Sequence, residues 1–342
     1  MAERIGQQTL RLDHAVSVGA YAATGGQKEG EGPLGGGFDK ISSDAYFGQD
    51  SWEKAEIAML RECLHICLGK WDRPSRHPEL LLGGDLLNQC ISSAFAVKDC
   101  AEPYLGLYGA CSTMAEGLML AALLLDGGGL TSACALTGSH FSTAERQYRF
   151  PLEMGTTAPP TAQRTVTGAG AILLSTQEVP LPVFSHVALT AATIGRVVDL
   201  GITDTNNMGA AMAPACCDTI LVHLKDTGSR AEDYDLIVSG DLGTFGSEML
   251  LNLAKQKHLN LEKRYLDCGA SIYLEEQGFS CGGSGAGCSA VVLAAELLER
   301  IERGDVNRML FLATGALMSP TSGMQGESIP GIAHAVVLER RD

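Results

Sequence analysis

Segments of this chain recur in a fixed order, and that recurrence constrains the fold more than any other feature. Leu80–Leu86 (LLLGGDL) reads as a buried strand ending in a tight turn, and Leu236–Leu242 (LIVSGDL) repeats the pattern 156 residues later. Ala110-Cys111-Ser112 opens an apolar helix, and Gly287-Cys288-Ser289 opens another, 177 residues on. Each helix leads into a strand ending in Thr-Gly, at Thr137-Gly138 and Thr314-Gly315, again 177 apart. The closing strands Gly170–Leu174 and His334–Leu338 match, and the openings His14–Ser17 and His186–Leu189 agree more loosely. Ordered self-similarity of this kind marks an internal repeat.

The expected organisation is two diverged α/β halves, residues 1–178 and 179–342. Their apolar runs are continuous rather than alternating, which indicates strands covered on both faces by helices. Two such halves stack their central helices between two sheets, giving a five-layer α-β-α-β-α sandwich. Loops at the strand C-termini converge where the halves meet, and a ligand site belongs there.

Composition narrows the function. The balance of 25 Lys+Arg against 40 Asp+Glu leaves no basic face for phosphates, which excludes nucleic acid as a partner. Eleven cysteines are scattered without C-x-x-C or zinc spacing, so reduced buried thiols and no metal centre are expected. The most apolar stretch, Leu118–Leu125, is too short to span a bilayer, leaving only a peripheral role at a membrane. Residues 24–37, rich in glycine, read as an exposed loop. Residues 282–287 lack the Lys-Ser/Thr of a phosphate loop, so their glycines serve helix packing rather than a nucleotide.

Tyr108–Gly117 (YGACSTMAEG) is the most informative segment. Thr113 with Glu116 fits a capping box, which starts the helix at Thr113 and leaves Cys111 on the turn feeding it. Free amides and the positive end of the helix dipole would stabilise a thiolate there. Ser139 and His140, just past the Thr-Gly strand, bring a hydroxyl and an imidazole to the same edge, unless a loop carbonyl satisfies His140. Arg146, Arg149 and Arg164 lie in or beside the following loop, as carboxylate partners or as surface charges. Asp85 and Asp241 end equivalent strands and read as turn caps, with Asp85 bordering the Cys111 turn.

This turn resembles that of the thiolase and ketoacyl-synthase superfamily, in which a nucleophilic cysteine at the place of Cys111 forms an acyl-thioester. The resemblance implies a thiolase-like fold and two polar partners from the second half. One is a His or its equivalent after the strand ending at Ser239, and the other is an Asn or His in the glycine-rich turn. This chain offers Gly240-Asp241 and Cys281–Gly287, with neither His nor Asn. That departure favours binding over catalysis. The alternative is an acyltransferase or condensing enzyme using Cys111 as nucleophile.

A closer likeness covers nearly the whole chain. Tyr108–Gly117, Thr137–Phe141 (TGSHF), Ser142–Phe150 (STAERQYRF) and Pro160–Gly170 (PTAQRTVTGAG) resemble the stage V sporulation protein AD family. That resemblance implies a protein of endospore formers binding pyridine-2,6-dicarboxylic (dipicolinic) acid, with or without calcium and with no other cofactor. It implies a role in uptake of the acid into the developing spore, with a bearing on germination. The implied partners are membrane proteins of the same sporulation assembly. The implied location is cytoplasmic or forespore, peripherally at the inner spore membrane. A homodimer is expected by analogy with thiolases. The residues expected to hold the flat dianion are Cys111, Ser112, Ser139, His140, Asp85, Arg146, Arg149 and Ser284.

Overall fold

In the first half, strand β1 (Thr9–Gly26) is followed by helix α1 (Trp52–Lys70), β2 (Leu80–Gly84), α2 (Ile91–Val97), β3 (Tyr104–Gly106), α3 (Thr113–Asp126), β4 (Ser132–Ser139), α4 (Phe141–Tyr148) and β5 (Gly168–Ser175). The second half repeats the series. It runs β6 (Val187–Thr193), α5 (Met208–Thr227), β7 (Leu236–Ser239), α6 (Gly243–Gln256), β8 (Tyr265–Asp267), α7 (Ala286–Val292), β9 (Arg308–Ala316), α8 (Pro320–Met324) and β10 (Gly331–Arg340). A π turn, Leu293–Leu297, and a last α turn, Leu298–Glu302, prolong α7. This computed structural model describes residues 1–71, 77–148, 158–176, 186–279 and 281–341. The expected boundary at 178/179 lies outside them.

Ten strands form one hydrogen-bonded path, β3-β2-β4-β5-β1-β6-β10-β9-β7-β8. Each second-half strand carries a number five higher than its counterpart, stands at the mirrored place in this path and makes the same kind of pairing. β2 is parallel to β3 and β4, while β5 is antiparallel to β4 and β1. β7 is parallel to β8 and β9, while β10 is antiparallel to β9 and β6. The duplication is therefore carried by topology as well as by sequence.

The layers follow from hydrophobicity. Helix α3 buries Met114, Leu118, Ala121, Ala122 and Leu125, and a helix apolar on every side needs protein on every side. It lies with α7 between the two half-sheets; α1 and α2 cover the outer face of the first, α5 and α6 that of the second. Strands β2, β4 and β5 are buried along their whole length, as their unbroken apolar runs require. The glycines of residues 282–287 do serve packing. A Cβ on Gly287 would sit 2.2 Å from the Gly168 carbonyl oxygen, so only glycine lets α7 approach β5 this closely.

Three expectations need correction. The half-sheets are not separate: β1 is 18 residues long, enough to pair with β6 through Thr9–Ser17 and with β5 through Ser17–Gly25. Cys288 lies inside the first turn of α7 rather than ahead of it, because the helix already begins at Ala286. The glycine-rich stretch after β1 is anchored rather than free, since Glu29 is buried and accepts from the Thr167 amide (3.1 Å) and the Tyr273 hydroxyl. All eleven cysteines carry free thiols. Among the described residues no helix is long and apolar enough to cross a membrane.

Candidate functional site

A cavity of about 480 Å³ lies at the N-terminal end of α3, where the loops of both halves converge. The first half lines it with Leu86, Cys111, Ala144 and Tyr148, the second with Met208, Ser284 and Met318. Its walls are largely apolar. Asn88, Ser319 and Ser322 add an amide and two hydroxyls. Among the described residues no Lys, Arg or His lines it, and no group of three or more His, Cys, Asp or Glu is placed to hold a metal ion.

The turn that presents Cys111 is tight. Ala110 takes a left-handed conformation (φ 52°). The Ser112 hydroxyl donates to the Gly109 carbonyl and the Thr113 hydroxyl to the Ala110 carbonyl, both at 2.7 Å. Helix α3 starts at Thr113 as the spacing predicts, but no capping box forms, and Glu116 Oε2 is buried without a hydrogen-bond partner. Strand β9 backs the turn at Gly315, where a Cβ would fall 2.7 Å from the Gly109 carbonyl oxygen.

Cys111 is only 6% exposed. Burial pushes its thiol well above the ordinary cysteine range, and the Asp241 carboxylate beside it pushes further. The expected thiolate is thus corrected to a neutral thiol, because desolvation and a neighbouring negative charge outweigh the helix end.

Asp241, at the end of β7, is the site residue that sequence reasoning missed. Its Oδ1 accepts from the Thr314 hydroxyl (2.6 Å), and its Oδ2 accepts from the Ser284 hydroxyl (2.7 Å) and the Gly285 amide (3.0 Å). The Cys111 thiol lies beside it. Burial raises this carboxyl's pKa, and the donors around it oppose the rise. One signal was available: Asp241 falls where the resembling enzymes place a histidine.

The other expected ligands are scattered. Ser284 lines the cavity, but its hydroxyl is held by Asp241. Asp85 lies outside it and accepts from the Leu87 amide (2.8 Å) and from the Ser93 amide and hydroxyl (both 2.7 Å). Ser112 turns to its own loop, and Ser139 ties β4 to α7 by donating to the Val166 carbonyl (2.8 Å) and accepting from the Gly287 amide (3.0 Å). His140 lies beside Trp52, outside the cavity. The Ser142 amide donates to its Nδ1 (3.2 Å), which leaves Nε2–H to donate to the Ala45 carbonyl (2.8 Å). Burial lowers the His140 pKa and keeps the ring neutral. Arg146 pairs with Glu53 and lines an adjoining cavity of about 500 Å³ that shares Tyr148 and Met318 with the first. Arg149 lies outside the described residues. Arg164 is stacked between the rings of Phe141 (4.0 Å) and Phe279 (4.7 Å).

The chain is similar to known proteins in both sequence and fold. The family model for stage V sporulation protein AD matches residues 6–339. Stage V sporulation protein AD of Bacillus subtilis (strain 168) is 43% identical over 335 residues, covering 98% of this chain and 97% of that protein. Among solved structures, a cerulenin-bound variant of Xanthomonas campestris OleA aligns with a TM-score of 0.61 at 14% identity, covering 96% of this chain and 97% of that one. Human mitochondrial 3-ketoacyl-CoA thiolase in complex with CoA aligns at 0.59 and 12% identity, covering 97% and 99%. The 3-oxoacyl-[acyl-carrier-protein] synthase III of Aquifex aeolicus VF5 aligns at 0.57 and 15%, covering 95% and 99%. These three carry the thiolase-like fold.

Proposed function

This chain belongs to the stage V sporulation protein AD family, and on that premise we propose that it is a non-catalytic binding protein for dipicolinic acid. It acts in uptake of the acid, with or without calcium, into the developing spore. It works as a homodimer held peripherally at the inner spore membrane by membrane proteins of the same assembly.

The observation that carries this reading is what faces Cys111. The thiol opens on a ligand-sized cavity, but its second-half neighbour is the Asp241 carboxylate instead of a basic side chain. A cysteine nucleophile without a base or oxyanion donors loses most of its rate advantage. A cavity of about 480 Å³ still suits a small flat ring, because ligand pockets of a few hundred Å³ are mostly apolar with a few placed polar groups. Leu86, Ala144 and Met318 offer the ring its slot, while Asn88, Ser319 and Ser322 offer polar contacts for carboxylates. Arg146, paired with Glu53, brings a cation to the adjoining cavity.

Calorimetric titration of dipicolinic acid into wild type and Cys111→Leu tests the reading. Saturable binding by wild type, weakened when leucine intrudes on the cavity, is the expected result. No saturable binding sinks the assignment. A stable acyl adduct on Cys111 with turnover of an acyl-CoA thioester would replace it with acyl transfer.

A further inference from the structure

We propose that Asp241 disarms the Cys111 turn, so that the cavity holds its ligand without the thiol becoming acylated. This inference rests on the binding reading above and adds the residue responsible for it.

An acyl transfer through Cys111 would need two things. The sulfur must lose its proton and attack the carbonyl carbon, and the resulting oxyanion must meet N–H or O–H donors. Asp241 opposes both. Its carboxyl lies beside the thiol and raises the cost of ionising it, since a thiolate there would set two negative charges side by side in a water-poor site. Its Oδ2 also takes up the Ser284 hydroxyl at 2.7 Å and the Gly285 amide at 3.0 Å, the donors that the glycine-rich turn brings to this side of the cavity. Neither is left for an oxyanion.

The carboxylate is locked in that direction. Thr314 on β9 donates to Oδ1 at 2.6 Å, and the Thr314 hydroxyl accepts the Asp241 amide at 3.2 Å. Among the described residues, the other titratable groups near the sulfur are Tyr108, then Tyr148 and Glu145 of α4, and Cys288 of α7, none of which is a cation or an imidazole. Glu145 accepts from the Thr165 hydroxyl (3.2 Å). Asp241 is therefore a positioning residue: it acts through Cys111, Ser284 and Gly285.

Alkylation with iodoacetamide tests this directly. The thiolate sulfur bonds to the methylene carbon, the carbon–iodine bond breaks and iodide leaves. Rates from pH 6 to 10 would be followed by mass spectrometry of the Cys111 peptide, with glutathione as the free-thiol reference. The wild-type midpoint is expected above the free-cysteine value of about 8.5. Asp241→Asn keeps the shape and removes the charge; it should alkylate about tenfold faster at pH 8, which corresponds to about one pH unit of midpoint. Asp241→Glu should restore the slow profile.

A wild-type midpoint at or below that of free cysteine overturns the proposal, and so does an unchanged midpoint in Asp241→Asn. If Asp241→Asn fails to fold, Asp241→Ser takes its place, with the same expected acceleration and the same overturning result. Dipicolinate titrations keep the two readings apart. Absent binding with the expected thiol profile overturns the ligand assignment alone. Saturable binding with a free-cysteine midpoint overturns the disarming role alone.

Discussion

Asp85 at the end of β2 and Asp241 at the end of β7 follow near-identical strands and are both buried, yet their carboxylates turn in different directions. Asp85 folds back on its own turn to cap Leu87 and Ser93. Asp241 turns across to Ser284, Gly285 and Thr314, beside Cys111. The turn after β7 still needs acceptors, and Asp267 on β8 supplies them. It receives the Leu242 amide (2.9 Å), the Gly243 amide (2.8 Å), the Ala270 amide (2.9 Å) and the Ser239 hydroxyl (2.6 Å). Register explains the contrast: Ser239 pairs with Asp267, whereas the equivalent Gly83 pairs with Gly106. An aspartate on the neighbouring strand takes over the capping, and Asp241 is free to face the site.

Removing that substitute should have the largest effect. Asp267→Ala leaves four donors without their acceptor, and at about 1–3 kcal/mol for each buried unsatisfied group a total loss of about 3–5 kcal/mol is expected after partial relaxation. Urea unfolding measures it, and a loss under about 1 kcal/mol would break the comparison.

The pH dependence is the next effect in size. Burial pushes the Asp267 carboxyl up to about 7 from an ordinary 3.8. Below the lower value both folded and unfolded chains hold the proton. Between the two the unfolded chain ionises freely while the folded one does not. The group's stabilising share is therefore complete below about pH 3.8 and is lost as pH rises through about 7. Wild type should lose up to about 1.4 kcal/mol per pH unit more than Asp267→Asn between pH 4 and 7. Parallel stability curves for the two proteins would show that Asp267 does not titrate there.

The smallest effect concerns the first half's strand end. His140→Gln disturbs hydrogen bonds to Ala45 and Ser142 but touches no cavity wall. Dipicolinate affinity by calorimetry should change less than about twofold, under about half a kcal/mol. A larger drop would extend the site to the end of β4.

Much of this was legible in the sequence because it is local. The Gly-Asp strand ends, the Thr-Gly strand ends and the all-apolar α3 each report on a few consecutive residues, and the shared offset tied them into halves. The place of Cys111 was equally legible, since a turn before a buried helix is a local feature. Its ionisation was not, because that depends on Asp241 from the other half. His140 and Arg146 mark the opposite limit. Position just past a strand says nothing about orientation, and Ala45 and Glu53, far off in sequence, claimed them. A side-by-side reading of Gly106 and Asp267 would have been the clue to Asp241, but it requires knowing which strands pair.

The long β1 strand has a consequence for how the chain is made. Its opening residues, Thr9–Ser17, find their partner in Val187–Thr193. At synthesis rates of about 5–20 residues per second, that partner leaves the ribosome roughly 10–35 s after β1 does. Through that interval the first half carries an unsatisfied strand edge, a ready template for wrong pairing. Yield of native protein should therefore depend on chaperone supply and translation speed more than the final stability alone would suggest.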